Sequence, residues 1–203
     1  MTANNERVLV CPRDKLDLSG FRHFTLDVEP VLALILNGAP PMFLDRALAE
    51  ADDRYKQIIP YVVLRHEERV FTYFRGFRGT ERRLVGFRSI GLGGHIQEQD
   101  WIPTRSASQS YEAAIGREVH EEVHVGDTYA RKAVAIINDE SSPVGRVHLG
   151  ILHVWELCEA SVGIREDKLV GAEFVSAAAL RLRVKDLERW SQIALDVLWR
   201  LGV

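Results

Sequence analysis

Residues 117–125, REVHEEVHV, concentrate the groups that could do chemistry, and they offer two different metal sites. His120 and His124, with Glu121 between them, fit H-E-x-x-H, where two imidazoles one helical turn apart share a zinc ion and the glutamate acts as base. Glu118, Glu121 and Glu122 form an oxygen-only set suited to a hard cation such as Mg²⁺. A helix turns about 100° per residue, so with Glu118 at zero Glu122 falls at about 40° and Glu121 at about −60°. The histidines then fall at about 200° and 240°, on the far side, and one ion cannot serve both faces. Ile115, Val119 and Val123 make an apolar stripe next to Glu118 and Glu122. Burying that stripe brings these two carboxylates to the edge of the sheet and turns the histidines to solvent. Carboxylates at i, i+3 and i+4 repel unless neutralised, and a divalent cation is a natural neutraliser. The plainer alternative is a solvated acidic face in which Arg117 and Glu121 make an i, i+4 pair.

The surrounding elements follow from periodicity. The pattern is helical over 109–125, with Ser110 as the expected N-cap and Gly126 as the terminating glycine. Ahead of it run SIGLGGHIQ, where Gly91, Gly93 and Gly94 crowd around Leu92, and a polar loop at 97–108. IIPYVVLR at 58–65 and VFTYFR at 70–75 flank a polar turn and predict a hairpin. Residues 128–137 and 147–157 read as long strands joined by the loop NDESSPVGR, with short strands at 8–12 and 172–176. Residues 43–55 have helical composition, and the apolar run at 31–36 fits either type. The last helix, 186–201, aligns Leu187, Trp190, Ile193, Ala194, Val197, Leu198 and Leu201 on one stripe. The expected class is α/β, a mixed β-sheet with the 109–125 helix on one side.

Composition narrows the function. With 203 residues and 46% hydrophobic content the chain can bury a sizeable core. A net charge of −3 gives no footprint for general nucleic-acid binding. Cys11 and Cys158 follow no metal spacing and read as reduced thiols. The longest apolar run is broken by Asn37, Gly38, Pro40 and Pro41, too short to span a bilayer, and the N-terminus lacks a signal-peptide core. A soluble, cytoplasmic protein without membrane contact is expected.

GGHIQ at 93–97, a loop, and SYEAAIGREVHEEV at 110–123 resemble the Nudix box, G-x5-E-x7-R-E-U-x-E-E-x-G-U, where U is aliphatic. Arg117, Glu118, Val119, Glu121, Glu122 and Val125 fall in place. IIPYVVLR, VGRVHLG and GAEFVS are similar to a bacterial subgroup of that family described as predicted phosphoesterases. The loop after Gly94 is longer than the pattern, Gln109 replaces a box glutamate, and His124 replaces the box glycine. The resemblance implies a Nudix-type α/β/α sandwich around a mixed sheet, formed by residues 56–203, with 1–55 as an N-terminal extension packed on it. It implies Mg²⁺- or Mn²⁺-dependent hydrolysis of a pyrophosphate bond in a nucleoside diphosphate linked to another moiety. Glu118, Glu121, Glu122 and Gly94 would hold metal, with Arg117 orienting the carboxylates and Glu121 ligating a further ion or assisting as base.

Gly93 would let the substrate diphosphate approach the backbone, and Arg75, Arg88 and His95 are further substrate-binding candidates, Arg78, Arg82 and Arg83 belonging to the same basic stretch. Asp139 or Glu140 could supply a mobile base, and His148 and His153 read as packing residues. Two alternatives stay open: a Nudix-fold binding or regulatory module without turnover, motivated by Gln109, and an H-E-x-x-H zinc protease. A homodimer is the expected assembly.

Overall fold

The structure, a computed structural model, describes residues 6–20, 23–37, 40–76, 86–165 and 169–202. In chain order these hold β1 (Arg7–Pro12), β2 (Phe24–Thr25), α1 (Glu29–Asn37), β3 (Met42–Asp45), α2 (Arg46–Ala51), β4 (Tyr55–His66), β5 (Arg69–Arg75), β6 (Arg88–Ser89), β7 (Leu92–Gly93), α3 (Ala107–Glu122), β8 (Val123–Val125), β9 (Thr128–Ile137), α4 (Pro143–Val147), β10 (His148–Leu157), β11 (Val162–Ile164), β12 (Leu169–Ser176), α5 (Ala177–Leu182) and α6 (Arg189–Arg200). The class is the mixed α/β expected, with a large sheet in the order β12-β5-β4-β10-β9-β2 and a small β8–β11 ladder. Among the described residues no helix is long and apolar enough to cross a membrane. The chain forms two compact units.

The first unit comprises Met1–Pro60, Gly94–Arg117 and Val134–Ile151. Here β1 pairs antiparallel with β3, Leu9 opposite Phe43, and with β4, Val10 opposite Gln57. Val8 and Val10 pack on Ala49 of α2 and on the half-buried Leu44 and Tyr55. The stretch expected to be helical at 43–55 divides, because pairing with β1 holds Phe43 and Leu44 extended. The helix α2 begins only after Asp45, whose carboxylate accepts from Ala47 N at 2.9 Å and caps it. The open run at 31–36 lies in α1. What reads as a loop between the long strands contains α4, capped by Ser142 through Gly145 N at 3.1 Å. Gly145 has no substitute there, since a Cβ would run into the Asp139 carbonyl.

The start of α3 corrects the expected cap. Ser106 Oγ accepts from Gln109 N at 3.2 Å, and Gln109 Oε1 accepts from Ser106 N at 3.0 Å, a capping box. Ser110 is buried within the helix and accepts from Ile102 N at 3.3 Å.

The second unit comprises Tyr61–Gly93, Glu118–Ala133 and Leu152–Val203. The expected hairpin forms, with His66 opposite Arg69 and Glu67 in the left-handed region at φ 53°. Strand β12 extends the expected 172–176 segment along β5, through an irregularity between Val170 and Glu173. In α6, Ile193, Ala194, Val197 and Leu198 are buried as the stripe requires, but Leu201, at the C-cap, is 41% exposed. The helix expected to reach Gly126 stops at Glu122. Val123–Val125 turn into β8, with Val125 opposite Val162 and Val123 opposite Ile164. Arg165 makes this stop possible: its N–H donates to Glu122 O at 3.0 Å and its Nη1 to His120 O at 2.7 Å, satisfying two of the last helical carbonyls.

Candidate functional site

In the second unit the end of α3 presents the carboxylates. Val119 and Val123 are fully buried, Glu118 is half-buried, Glu121 is exposed, and Glu122 is 7% exposed. Arg75 lies near: burial works against its charge, but Tyr73, Glu188 and Glu122 more than offset that and hold its pKa above the usual arginine range. Its guanidinium carbon sits 5.7 Å from the Tyr73 ring centre. Arg88 is 8% exposed and donates to Thr72 Oγ1 at 2.6 Å. It also pairs with Glu173 at 2.9 Å and lies over the Phe74 ring at 4.3 Å. Arg78, Arg82 and Arg83 lie outside the described residues.

The glycine segment is pinned from below by a buried polar network that no local sequence pattern announces. Tyr61 donates to Glu188 Oε1 at 2.6 Å and lies 2.7 Å from Ser191 Oγ. Tyr73 OH and Ser89 Oγ both donate to Gly91 O, at 2.9 and 3.1 Å. Gly91 must be glycine, because a Cβ would run into the Tyr61 ring. Gly93 ends β7, opposite Tyr61.

The H-E-x-x-H arrangement does not form. The helix ends between its two histidines: His120 lies in α3, its ring centre 6.5 Å from that of Trp155, and His124 lies exposed in β8, 3.3 Å from Arg165 Nη2. They are not one helical turn apart, as that zinc site requires.

In the first unit Arg117 forks onto Asp100, Nε to Oδ1 at 2.7 Å and Nη2 to Oδ2 at 2.6 Å, and also donates to His95 O at 3.1 Å. Asp100 Oδ2 accepts from Gln97 N at 2.8 Å, which fixes the turn Glu98–Asp100 that follows Gly94 and His95. Sequence reasoning missed Asp100; the only signal was an aspartate three residues after a capping Gln97. Glu140 bridges Arg13 and the fully buried Lys56, which it meets at 3.2 Å, and Asp139 is buried with His23 at 3.5 Å. Burial lowers the Lys56 pKa, partly offset by Glu140. Both loop carboxylates therefore have structural partners.

His95 Nε2 meets Gln57 Oε1 at 2.9 Å, and His148 Nδ1 meets Val144 O at 2.8 Å. Their ring centres are 5.6 Å apart. Burial, with Arg46 and His148 adding to it, lowers the His95 pKa to about 3, so the ring is neutral. Among the described residues, the group of three side chains whose ligand atoms all lie within 4.8 Å of one another is Glu50, His95 and His148; the glutamates of α3 do not converge in this way.

No family model matches the chain. It is 33% identical over 205 residues to protein YmaB of Bacillus subtilis (strain 168), with 96% of this chain and 98% of that protein covered. The solved structure of Tm1382, assigned to the Nudix hydrolases, covers 97% of this chain and 99% of its own at 29% identity, with a TM-score of 0.77. DR0079 from Deinococcus radiodurans aligns over 69% of this chain and 80% of its own at 16% identity, with a TM-score of 0.51, a likeness of fold.

Proposed function

The chain belongs to the Nudix family, and from that premise we propose that it hydrolyses a phosphoric anhydride bond in a nucleoside diphosphate joined to a second group, using Mg²⁺ or Mn²⁺. The observation that carries this reading is the end of α3, where Glu118 and the buried Glu122 stand one turn apart beside the buried Val119 and Val123. The donor set fits a hard divalent cation, because it is all carboxylate oxygen. Glu122 is also close enough to Arg75 to help hold that guanidinium charged.

In this reading Glu118 and Glu122 hold the cation, with Glu121 contributing. When bound, such a cation supplies positive charge to the diphosphate oxygens and acidifies a water. Glu121, on the exposed side, takes a proton from the attacking water or ligates a further ion. Arg117 is a positioning residue: through Asp100 and the His95 carbonyl it fixes the loop that follows the glycines. Gly93 lets the substrate backbone approach closely. Arg75 and His95 are the side chains to test for phosphate contact. Arg88 would have to release Thr72 and Glu173 to reach a substrate, so its role is to hold β5 and β12 in place.

The test is release of phosphate or nucleotide from a panel of nucleoside diphosphate derivatives with Mg²⁺, Mn²⁺ or Zn²⁺. Turnover with Mg²⁺ or Mn²⁺ that disappears in Glu122→Gln is the expected result. A second reading, a binding module without turnover, is favoured by Gln109, which stands where the box has a glutamate and is spent on capping α3. Tight binding of a diphosphate with no release from any panel member would select it, and Gln109→Glu is then the first change to restore turnover.

A further inference from the structure

Glu50, His95 and His148 come from three separate segments, α2, the loop after β7 and the first residue of β10, and meet within the first unit. Their donors are two imidazole nitrogens and one carboxylate oxygen, a set that suits borderline metals and not Mg²⁺. The outer faces of the two rings carry the second observation. With Nε2 donating to Gln57 Oε1 at 2.9 Å, His95 is the tautomer that offers Nδ1 as a lone-pair donor. With Nδ1 donating to Val144 O at 2.8 Å, His148 offers Nε2. A metal-binding histidine characteristically gives its other ring N–H to a carbonyl or carboxylate, which sets the tautomer and aims the ring. Both histidines give theirs to a carbonyl oxygen, from unrelated elements.

We propose that Glu50, His95 and His148 form a transition-metal site, with zinc as its preferred ion. Tetrahedral zinc, with bonds of about 2.0–2.1 Å, needs its donors roughly 3.3–3.5 Å apart. Donors already within 4.8 Å of one another reach that spacing by small rotations of the two rings and a larger one of Glu50, which is exposed. Its ion pair to Arg46 is loose, at 3.7 Å, and breaking an exposed pair costs little. His148 is buried and His95 half-buried, so the nitrogen pair forms the inner floor and Glu50 the solvent-side arm. Three protein ligands leave a fourth position on that solvent side for water or a substrate oxygen, the pattern of a zinc ion that does chemistry or binds an anion. The site uses none of the α3 glutamates and stands whether or not those bind Mg²⁺.

The test is zinc uptake by chelator-stripped protein, followed by equilibrium dialysis and by the visible spectrum of a Co²⁺ substitute, in millimolar Mg²⁺. One zinc per chain is expected, with a Co²⁺ spectrum of nitrogen and oxygen coordination. Glu50→Gln, on an exposed side chain that leaves the fold intact, should weaken uptake by more than about 10-fold, since loss of even an outer-shell partner of a ligand costs about 10–100-fold. His148→Gln should abolish it, and Glu122→Gln should leave it unchanged. No uptake by the unmodified chain, equal affinity in Glu50→Gln and His148→Gln, or loss in Glu122→Gln alone would each overturn the proposal.

Discussion

Asp100 takes both arms of the Arg117 guanidinium with only 8% of its side chain exposed, and Arg117 keeps 23% of its own. Removing the acceptor takes a bidentate partner from a mostly buried cation, and breaking a fully buried pair costs about 3–5 kcal/mol. Asp100→Ala should therefore lower the unfolding free energy by about 2–4 kcal/mol in urea titrations, the lower figure reflecting the water that reaches Arg117. A second residue sets an acid limit. Burial lowers the pKa of His153 to about 4, below the roughly 6.5 of an unfolded histidine. The unfolded chain then binds a proton that the folded chain refuses, so this contribution is whole above pH 6.5 and drains away as the pH falls toward 4. Between pH 6.5 and 5 the loss is about 2 kcal/mol, and His153→Phe should flatten the fall in melting temperature over that range whatever it does to stability at pH 7. At this scale Glu118, Glu121 and Glu122 were legible because their spacing alone puts them on one helical arc. Asp100 was not, because its partner is 17 residues away, across a loop and most of α3. Glu50 and His148 were not either, since nothing local marks two residues that meet only after the chain has folded.

Elements with long, strict periods were read nearly to the residue. Strand β9 spans the expected 128–137, and β10 starts one residue inside the expected 147–157. The misreadings lie where one pattern serves two structures. Val123 continues the apolar stripe of α3 and also opens a β-branched V-H-V segment; the ladder to β11 and the Arg165 bonds decide for a strand. Two- and three-residue strands such as β2 and β11 are too short to show any period. The N-terminus of α3 yields a test at this scale. Ser106→Ala removes one half of the capping box and should cost about 1 kcal/mol. Gln109→Glu keeps the reciprocal bond and adds negative charge at the positive end of the helix, worth about 0.3–1 kcal/mol at low salt. Opposite shifts in melting temperature for the two variants are expected, and the Gln109→Glu gain should shrink as salt is added. A Gln109→Glu variant that gains turnover without gaining stability would instead place residue 109 in the chemistry.

For the molecule as a whole, the sequence was enough to point to the family because the residues that match the box lie mostly in one helix, and the likeness to Tm1382 over 97% of the chain extends beyond that helix. Binding can be read on the same whole-chain scale without knowing the substrate. A cation that binds the folded chain and not the unfolded one stabilises it by about 2.7 kcal/mol at a hundred times its dissociation constant. For a chain of this size each kcal/mol moves the melting temperature by roughly 2–4 °C, so saturating Mg²⁺ or Mn²⁺ should raise it by about 5–10 °C. Glu122→Gln should lose most of that rise while Glu50→Gln keeps it, and zinc should show the reverse dependence. Because the shift is an equilibrium property of the fold, it separates a failed hydrolase assay from a failed site. A cation shift that survives Glu122→Gln in full would move the metal off α3 and take the pyrophosphatase reading with it. A shift that vanishes there, with no turnover on any substrate tried, would leave the metal where the helix puts it and turn the question to what the chain binds.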